Sequence, residues 1–259
     1  MDYYGELARL IAAVEGAQVI GFAGPANERF PLYRIVRGKG KKVLLSGVVH
    51  GNEPAGAFAL IEFFRSQSRE FEGEFEFTAF PCMNPWGYQH YERENGAKLD
   101  LNRHFEEGTP AEEIRLILPL LESYIFAMDL HEDDNDEEDA AKPEMPTGKC
   151  PEAFYFWEYC EDKSQRVGDK IVANVEAAGI KVCKWPKIWE DTNSGGVIWY
   201  PEGNGSAVYA VAHSFEPYLI ATGRAAQVFT LETFREQPME KRVLVDIIAI
   251  KTVLEARRQ

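Results

Sequence analysis

His50 and Glu53 stand three residues apart in the stretch LLSGVVHGNEPAG, residues 44–56. An imidazole and a carboxylate held this close on a rigid turn can grip one Zn2+ from two sides, provided a third ligand arrives from elsewhere in the fold. Taken alone, His-x-x-Glu says little, because a capping histidine followed by a solvated glutamate reads the same way. Two later residues add weight. His131 closes the apolar run IFAMDLH, residues 125–131, and Glu232 lies in VFTLETF, residues 228–234. Two histidines and one carboxylate leave the fourth position of a tetrahedral zinc open, the arrangement that suits catalysis. Zinc lowers the pKa of a water toward about 7, and a free carboxylate within reach of that water takes its proton and returns it to a leaving amine. His50, Glu53 and His131 are therefore the candidate ligands of one Zn2+ per chain, and Glu232 is the candidate base.

Such side chains need elements that deliver them to one place. Residues 43–49 form an apolar run without alternation, which suits a strand buried on both faces. Pro54 suits a first helical turn, where its missing N–H costs nothing, and AGAFALIEFF continues as a helix. His50 and Glu53 thus sit at the carboxyl end of a strand, where open α/β sheets place their ligands. Further strands are expected at 19–22, 30–37, 74–80, 125–130, 180–183 and 228–234, and helices at the N-terminus and at 55–64, 111–124, 164–178 and 238–257. Residues 88–108 read as a long loop, and loops of that length are usually functional. The alternation of strands and helices predicts an α/β fold: one domain over residues 1–259, with a central mixed sheet flanked by helices.

Length and composition set the frame. A chain of 259 residues removes about 70–75% of its unfolded surface from water on folding, so a metal here would serve chemistry rather than stability. The net charge of −14, from 42 acidic against 28 basic residues, argues against nucleic acid as a partner, as does the lack of a basic cluster interleaved with aromatics. Cys82, Cys150, Cys160 and Cys183 form no C-x-x-C pair and read as reduced thiols. The first 18 residues read as an amphipathic helix rather than a signal peptide, and no apolar run approaches the ~20 residues of a membrane span. A cytoplasmic setting is expected, and the oligomeric state stays open. The run EDDNDEE, residues 132–138, lacks the glycine and terminal glutamate of a calcium loop and reads as a surface excursion.

Taken together, these pieces resemble the zinc carboxypeptidase superfamily, which includes metallocarboxypeptidases and the aspartoacylase and succinylglutamate desuccinylase group. His50 and Glu53 in GVVHGNEPAG look like its first two zinc ligands, and His131 in AMDLHED looks like the third. Asn84-Pro85-Trp86-Gly87 resembles the Asn-Pro-x-Gly turn, and Glu232 in FTLET resembles the general base. Asn102 and Arg103 in LDLNR resemble the pair that holds a substrate carboxylate, a task suited to a bidentate guanidinium. The resemblance also matches Arg93, in YEREN, to the arginine that stabilises the tetrahedral oxyanion. A surface salt bridge is the other reading of Arg93.

The resemblance implies hydrolysis of an amide next to a free C-terminal carboxylate of a small peptide, by a zinc-dependent enzyme. It also leaves open an N-acyl amino acid deacylase with the same metal and base, and a non-catalytic binding protein built on the same fold. The family's Ser-Gly-Gly segment shortly precedes the base, whereas Ser194-Gly195-Gly196 lies far upstream of Glu232. Tyr200, Tyr209 and Tyr218 are candidate substrate tyrosines or packing residues. His90, His104 and His213 read as surface or loop residues, and Asp129 as pointing away from His131, on the other face of its strand.

Overall fold

The computed structural model describes residues 2–133, 152–188, 191–202 and 213–258. The acidic run beyond Asp133 lies outside these residues, as do Cys150, Tyr209 and the segment from Gly203 to Gly205. The sheet strands are β1 (Ala17–Ala23), β2 (Phe30–Gly38), β3 (Lys41–Gly47), β4 (Phe75–Phe80), β5 (Phe126–Asp133), β6 (Tyr155–Cys160), β9 (Val197–Tyr200) and β10 (Gln227–Phe234). They form one mixed sheet in the order β1-β2-β4-β3-β5-β10-β6-β9, and the short β7 (Lys187–Ile188) and β8 (Asp191–Thr192) pair separately. β3 runs parallel to β4 and β5, and β5 runs parallel to β10, while the β1–β2, β2–β4 and β10–β6 pairs are antiparallel.

This order explains how distant residues meet. β3, β5 and β10 are neighbours in space and point the same way, so their carboxyl ends lie on one edge. Gly47 pairs with Leu130 and His131 pairs with Glu232, which brings the three sequence stretches into register.

Alternation along the strands sends side chains into two cores, as expected for a sheet between helical layers. Val43, Leu45, Met128, Leu130 and Leu231 pack with α1 (Tyr3–Ala12), α2 (Ala55–Glu62), α5 (Gly168–Ala177) and α7 (Met239–Arg257). Leu44, Ala127, Val228 and Trp157 pack on the other face with α4 (Glu112–Ile117) and α6 (Phe215–Ala221). Each fully buried Val, Leu, Ile or Phe contributes about 1.5–3 kcal/mol, so the frame is held by two-sided apolar burial. Among the described residues no helix is long and apolar enough to cross a membrane.

Several elements differ from the sequence reading. The expected loop begins inside α3 (Pro85–His90), capped by Asn84, whose Oδ1 accepts the Gly87 N–H. Residues 180–183 form no strand; Val182 makes only an isolated bridge to Phe154. The buried strand there is β6, whose sequence YFWEYC hides its nature because Glu158 interrupts the apolar run. Glu158 is fully buried and accepts the Val167 and Gly168 N–H groups at the start of α5, at 3.1 and 2.7 Å. That capping duty explains a carboxylate in the middle of a core strand.

Candidate metal centre

The turn that carries His50 is clamped from below. β3 ends at Gly47, and Val48 takes φ +54°, a conformation that a β-branched residue rarely adopts. Met83 N–H donates to Gly47 O at 3.2 Å and Asn84 N–H to Val48 O at 2.9 Å, which hold the chain in that shape. The Asn84 side-chain amide donates to Arg93 O at 3.0 Å, and Gly51 N–H donates to the same oxygen at 3.3 Å. A Cβ on Gly51 would lie 2.0 Å from the Gly87 carbonyl carbon, so only glycine lets the two turns approach this closely. The His-Gly-Asn-Glu turn, the Asn-Pro-Trp-Gly turn and the Arg93 loop are therefore one interlocked unit.

On this unit His50 and Glu53 meet His131 from β5. The two Nδ1 atoms converge on one carboxylate: His50 Nδ1 lies 2.7 Å from Glu53 Oε1, and His131 Nδ1 lies 2.9 Å from Glu53 Oε2. All three side chains are buried, and their ligand atoms lie within 4.8 Å of one another. Glu53 Oε2 also accepts the Glu132 N–H at 3.2 Å.

The far side of each ring is held by another carboxylate. His50 Nε2 contacts Asp100 Oδ1 at 3.2 Å, and His131 Nε2 contacts Asp129 Oδ2 at 3.0 Å. This overturns the reading of Asp129 as facing away. Side chains two apart on a strand share a face, because the period of a strand is two residues. Asp129 is itself fixed by the Ser46 hydroxyl, which donates to Oδ1 at 2.6 Å from the paired position on β3. Asp100 was legible only as part of LDLNR; its role depends on tertiary contact. It also accepts the Asn102 N–H at 2.9 Å, and its Oδ2 takes Arg93 Nε and a terminal nitrogen at 3.2 and 3.0 Å.

Arg93 is thus brought to the centre and lies 3.6 Å from Glu53 Oε1, with its side chain 45% exposed. Burial opposes its charge, but Glu53 and Asp100 outweigh that and keep the guanidinium protonated. Asn102 is buried, and its Oδ1 accepts the Phe215 N–H at 2.8 Å, which fixes the orientation of its amide. Arg103 is exposed and donates to Asn102 O at 2.6 Å and to Ser214 Oγ at 3.4 Å. Glu232 is half-buried beside His131; burial pushes its carboxyl well above the ordinary range, although His131 and Arg93 pull the other way. Other candidates lie in packing roles. Tyr200 stacks near Tyr159 and Tyr218 near Phe105, with centroids 5.5 and 6.4 Å apart, while His90 pairs with Glu28 and His213 with Glu106.

Residues 39–138 match the family described as the succinylglutamate desuccinylase/aspartoacylase catalytic domain. Among solved structures, a candidate metallopeptidase from Shewanella amazonensis superposes with a TM-score of 0.73 at 19% identity, covering 98% of this chain and 91% of that one. The resemblance to the zinc carboxypeptidase superfamily is borne out. A metallo-carboxypeptidase from Burkholderia cenocepacia gives a TM-score of 0.63 at 14% identity, over 98% of this chain and 68% of that one. A succinylglutamate desuccinylase from a Silicibacter species gives 0.56 at 18% identity, over 93% and 66%. No curated protein matches the sequence. The expected α/β fold with its mixed sheet is the fold of these solved structures.

The metal that the resemblance implies fits the residues present. Both Nδ1 atoms face one ionised carboxylate, and both Nε2 atoms are already held by carboxylates, the arrangement that fixes tautomer and ring orientation in histidine–metal sites. Burial opposes ionisation of Glu53, but His50 and His131 hold it well below the usual range, so it stays anionic. Burial lowers the His131 pKa, yet Asp129 and Glu53 outweigh this and raise it well above the usual value. Without a metal, His131 therefore holds its proton to a higher pH than a free imidazole does, and a metal must displace that proton. Apparent metal affinity should rise about tenfold per pH unit for each proton displaced, and flatten above the raised pKa. Competition against a chromophoric chelator between pH 6 and 8 measures this slope; a flat profile would mean that no ligand titrates there.

Proposed function

We propose that this protein is a zinc-dependent hydrolase that cleaves the amide bond next to the free C-terminal carboxylate of a peptide. The observation that carries the reading is the convergence of the His50 and His131 Nδ1 atoms on Glu53, with Glu232 in register beside His131. His50, Glu53 and His131 would hold the ion. Bound there, zinc supplies Lewis acidity to a substrate carbonyl and makes a water more acidic.

The rest is done by the chain. Glu232 accepts the proton of the attacking water and delivers it to the leaving amine, a role helped by a carboxyl pKa that burial raises well above the ordinary range. Arg93 faces the oxygen on which negative charge develops. Arg103 and the Asn102 amide grip the free carboxylate, and Asn102 is kept in the right flip because its oxygen is engaged by Phe215 N–H. Asp100 ties these parts together, since it touches His50, Arg93 and the Asn102 backbone at once.

A second reading, an N-acyl amino acid deacylase, is supported by the description of the family matched over residues 39–138. Both reactions use the same metal, base and carboxylate grip, and differ in the acyl side.

Elemental analysis of the purified protein tests the ion: one zinc per chain is expected. Arg103→Met tests the grip. Loss of a charged hydrogen-bond partner is worth about 1.5–3 kcal/mol, so KM for free-ended peptides should rise about 10–100-fold and the preference over amidated peptides should vanish. An unchanged preference would remove Arg103 from the substrate site.

A further inference from the structure

A buried carboxylate on α6 lies beside the Nε2 edge of the His131 ring. Glu216 is fully buried, and its Oε1 lies 3.7 Å from His131 Nε2, the nitrogen that Asp129 already holds. Thr230 Oγ1 donates to the same Oε1 at 3.1 Å, and Thr230 lies two residues before Glu232 on the same face of β10. Among the described residues, Glu216 Oε2 has no hydrogen-bond partner. A carboxylate without a full set of partners is costly to bury, so its place at this ring needs a reason.

The two residues before it supply context. Phe215 N–H is the donor that fixes Asn102, and Ser214 Oγ accepts from Arg103. One short stretch, Ser214 to Glu216, thus contacts the proposed carboxylate grip with its first two residues and the proposed metal histidine with its third. Through Thr230 it also reaches the strand of the proposed base.

We infer that Glu216 is a positioning residue: with Asp129 it brackets the Nε2 side of His131, fixes the ring plane that aims Nδ1 at the metal, and ties that ring to the helix that sets the Asn102–Arg103 pair. The inference rests on His131 being a metal ligand. The same three groups, Asp129, His131 and Glu216, have ligand atoms within 4.8 Å of one another, so a second cation is the competing explanation that the test must separate.

The test compares wild type, Glu216→Ala, Glu216→Gln and Thr230→Val, using Zn2+ competition titrations and the visible spectrum of the Co2+-loaded proteins. Partners behind a ligating histidine typically change metal affinity by about 10–100-fold. Glu216→Ala should weaken Zn2+ binding by about that factor and shift the Co2+ bands. Glu216→Gln, which keeps an acceptor for Thr230, should recover most of the affinity, and Thr230→Val should weaken binding less than Glu216→Ala. Circular dichroism of the metal-free proteins checks the fold; if Glu216→Ala fails to fold, the Gln and Val variants carry the comparison. Wild-type affinity and spectrum in all variants would make Glu216 a packing residue and overturn the inference. Two equivalents of metal in the wild type, with one lost in Glu216→Ala, would overturn it in favour of a second cation site. A wild-type protein that binds no metal would instead sink the ligand assignment beneath it.

Discussion

Replacing Glu232 by Gln should lower kcat by about 10²–10⁴ while leaving the metal in place, the range typical for loss of a general base. The prediction follows from position and charge together. Glu232 pairs in register with His131 across β10 and β5, so its side chain emerges on the same sheet face as that proposed ligand without belonging to the proposed ligand set. Burial raises its carboxyl pKa, which makes the carboxylate a stronger base than an exposed glutamate. Glutamine keeps the shape and removes the proton acceptor. Metal content by elemental analysis and steady-state rates on one peptide measure both halves. An active variant would mean that the base is elsewhere; a variant that lost its metal would make Glu232 part of the ion's support.

Arg93→Ala should lower kcat by about 10²–10³ with a smaller change in KM, as expected for a donor that matters most in the transition state. Arg93 lies 3.6 Å from Glu53 Oε1 and is aimed by two bonds from Asp100. Arg93→Lys should recover little, because an ammonium cannot reproduce the forked contact with Asp100. Asp100 also holds His50, so metal affinity must be measured alongside. If KM rises while kcat stays, Arg93 binds the ground-state substrate. If neither moves, it is the salt-bridge residue that its contact with Asp100 would also allow.

His50, Glu53, His131 and Glu232, which the fold brings together, were legible because strand and turn signals surround them. A β-branched run ending in His-Gly-Asn-Glu-Pro announces a strand, a tight turn and a helix, and His131 and Glu232 also lie in short apolar runs. What was not legible depends on pairing between distant segments. Asp129 was misplaced by an error in strand period, and its bond to Ser46 arises only once β3 and β5 lie side by side. Asp100 sits in a loop whose shape comes from Asn95, which accepts the Ala97 and Leu99 N–H groups and is held by Glu113 of α4. No periodicity marks such a loop. β6 escaped for the opposite reason: its apolar run carries a buried glutamate whose partners, on α5 and β10, lie outside the strand itself. Glu216 shows the same limit: no helix was expected at FEPYLIA, and the contact with His131 arises only once α6 is packed on the sheet.

The central claim is metal-dependent hydrolysis of an amide beside a free carboxylate. Its most direct test is a mass-spectrometric time course of the zinc-loaded protein with a pool of peptides bearing free or amidated C-termini, together with short N-acyl amino acids, with and without chelator. The account predicts loss of single C-terminal residues from free-ended peptides, none from amidated ones, and no cleavage in chelator. Cleavage confined to the N-acyl amino acids would move the protein to the deacylases, and cleavage that ignores the chelator, or none at all, would contradict the account.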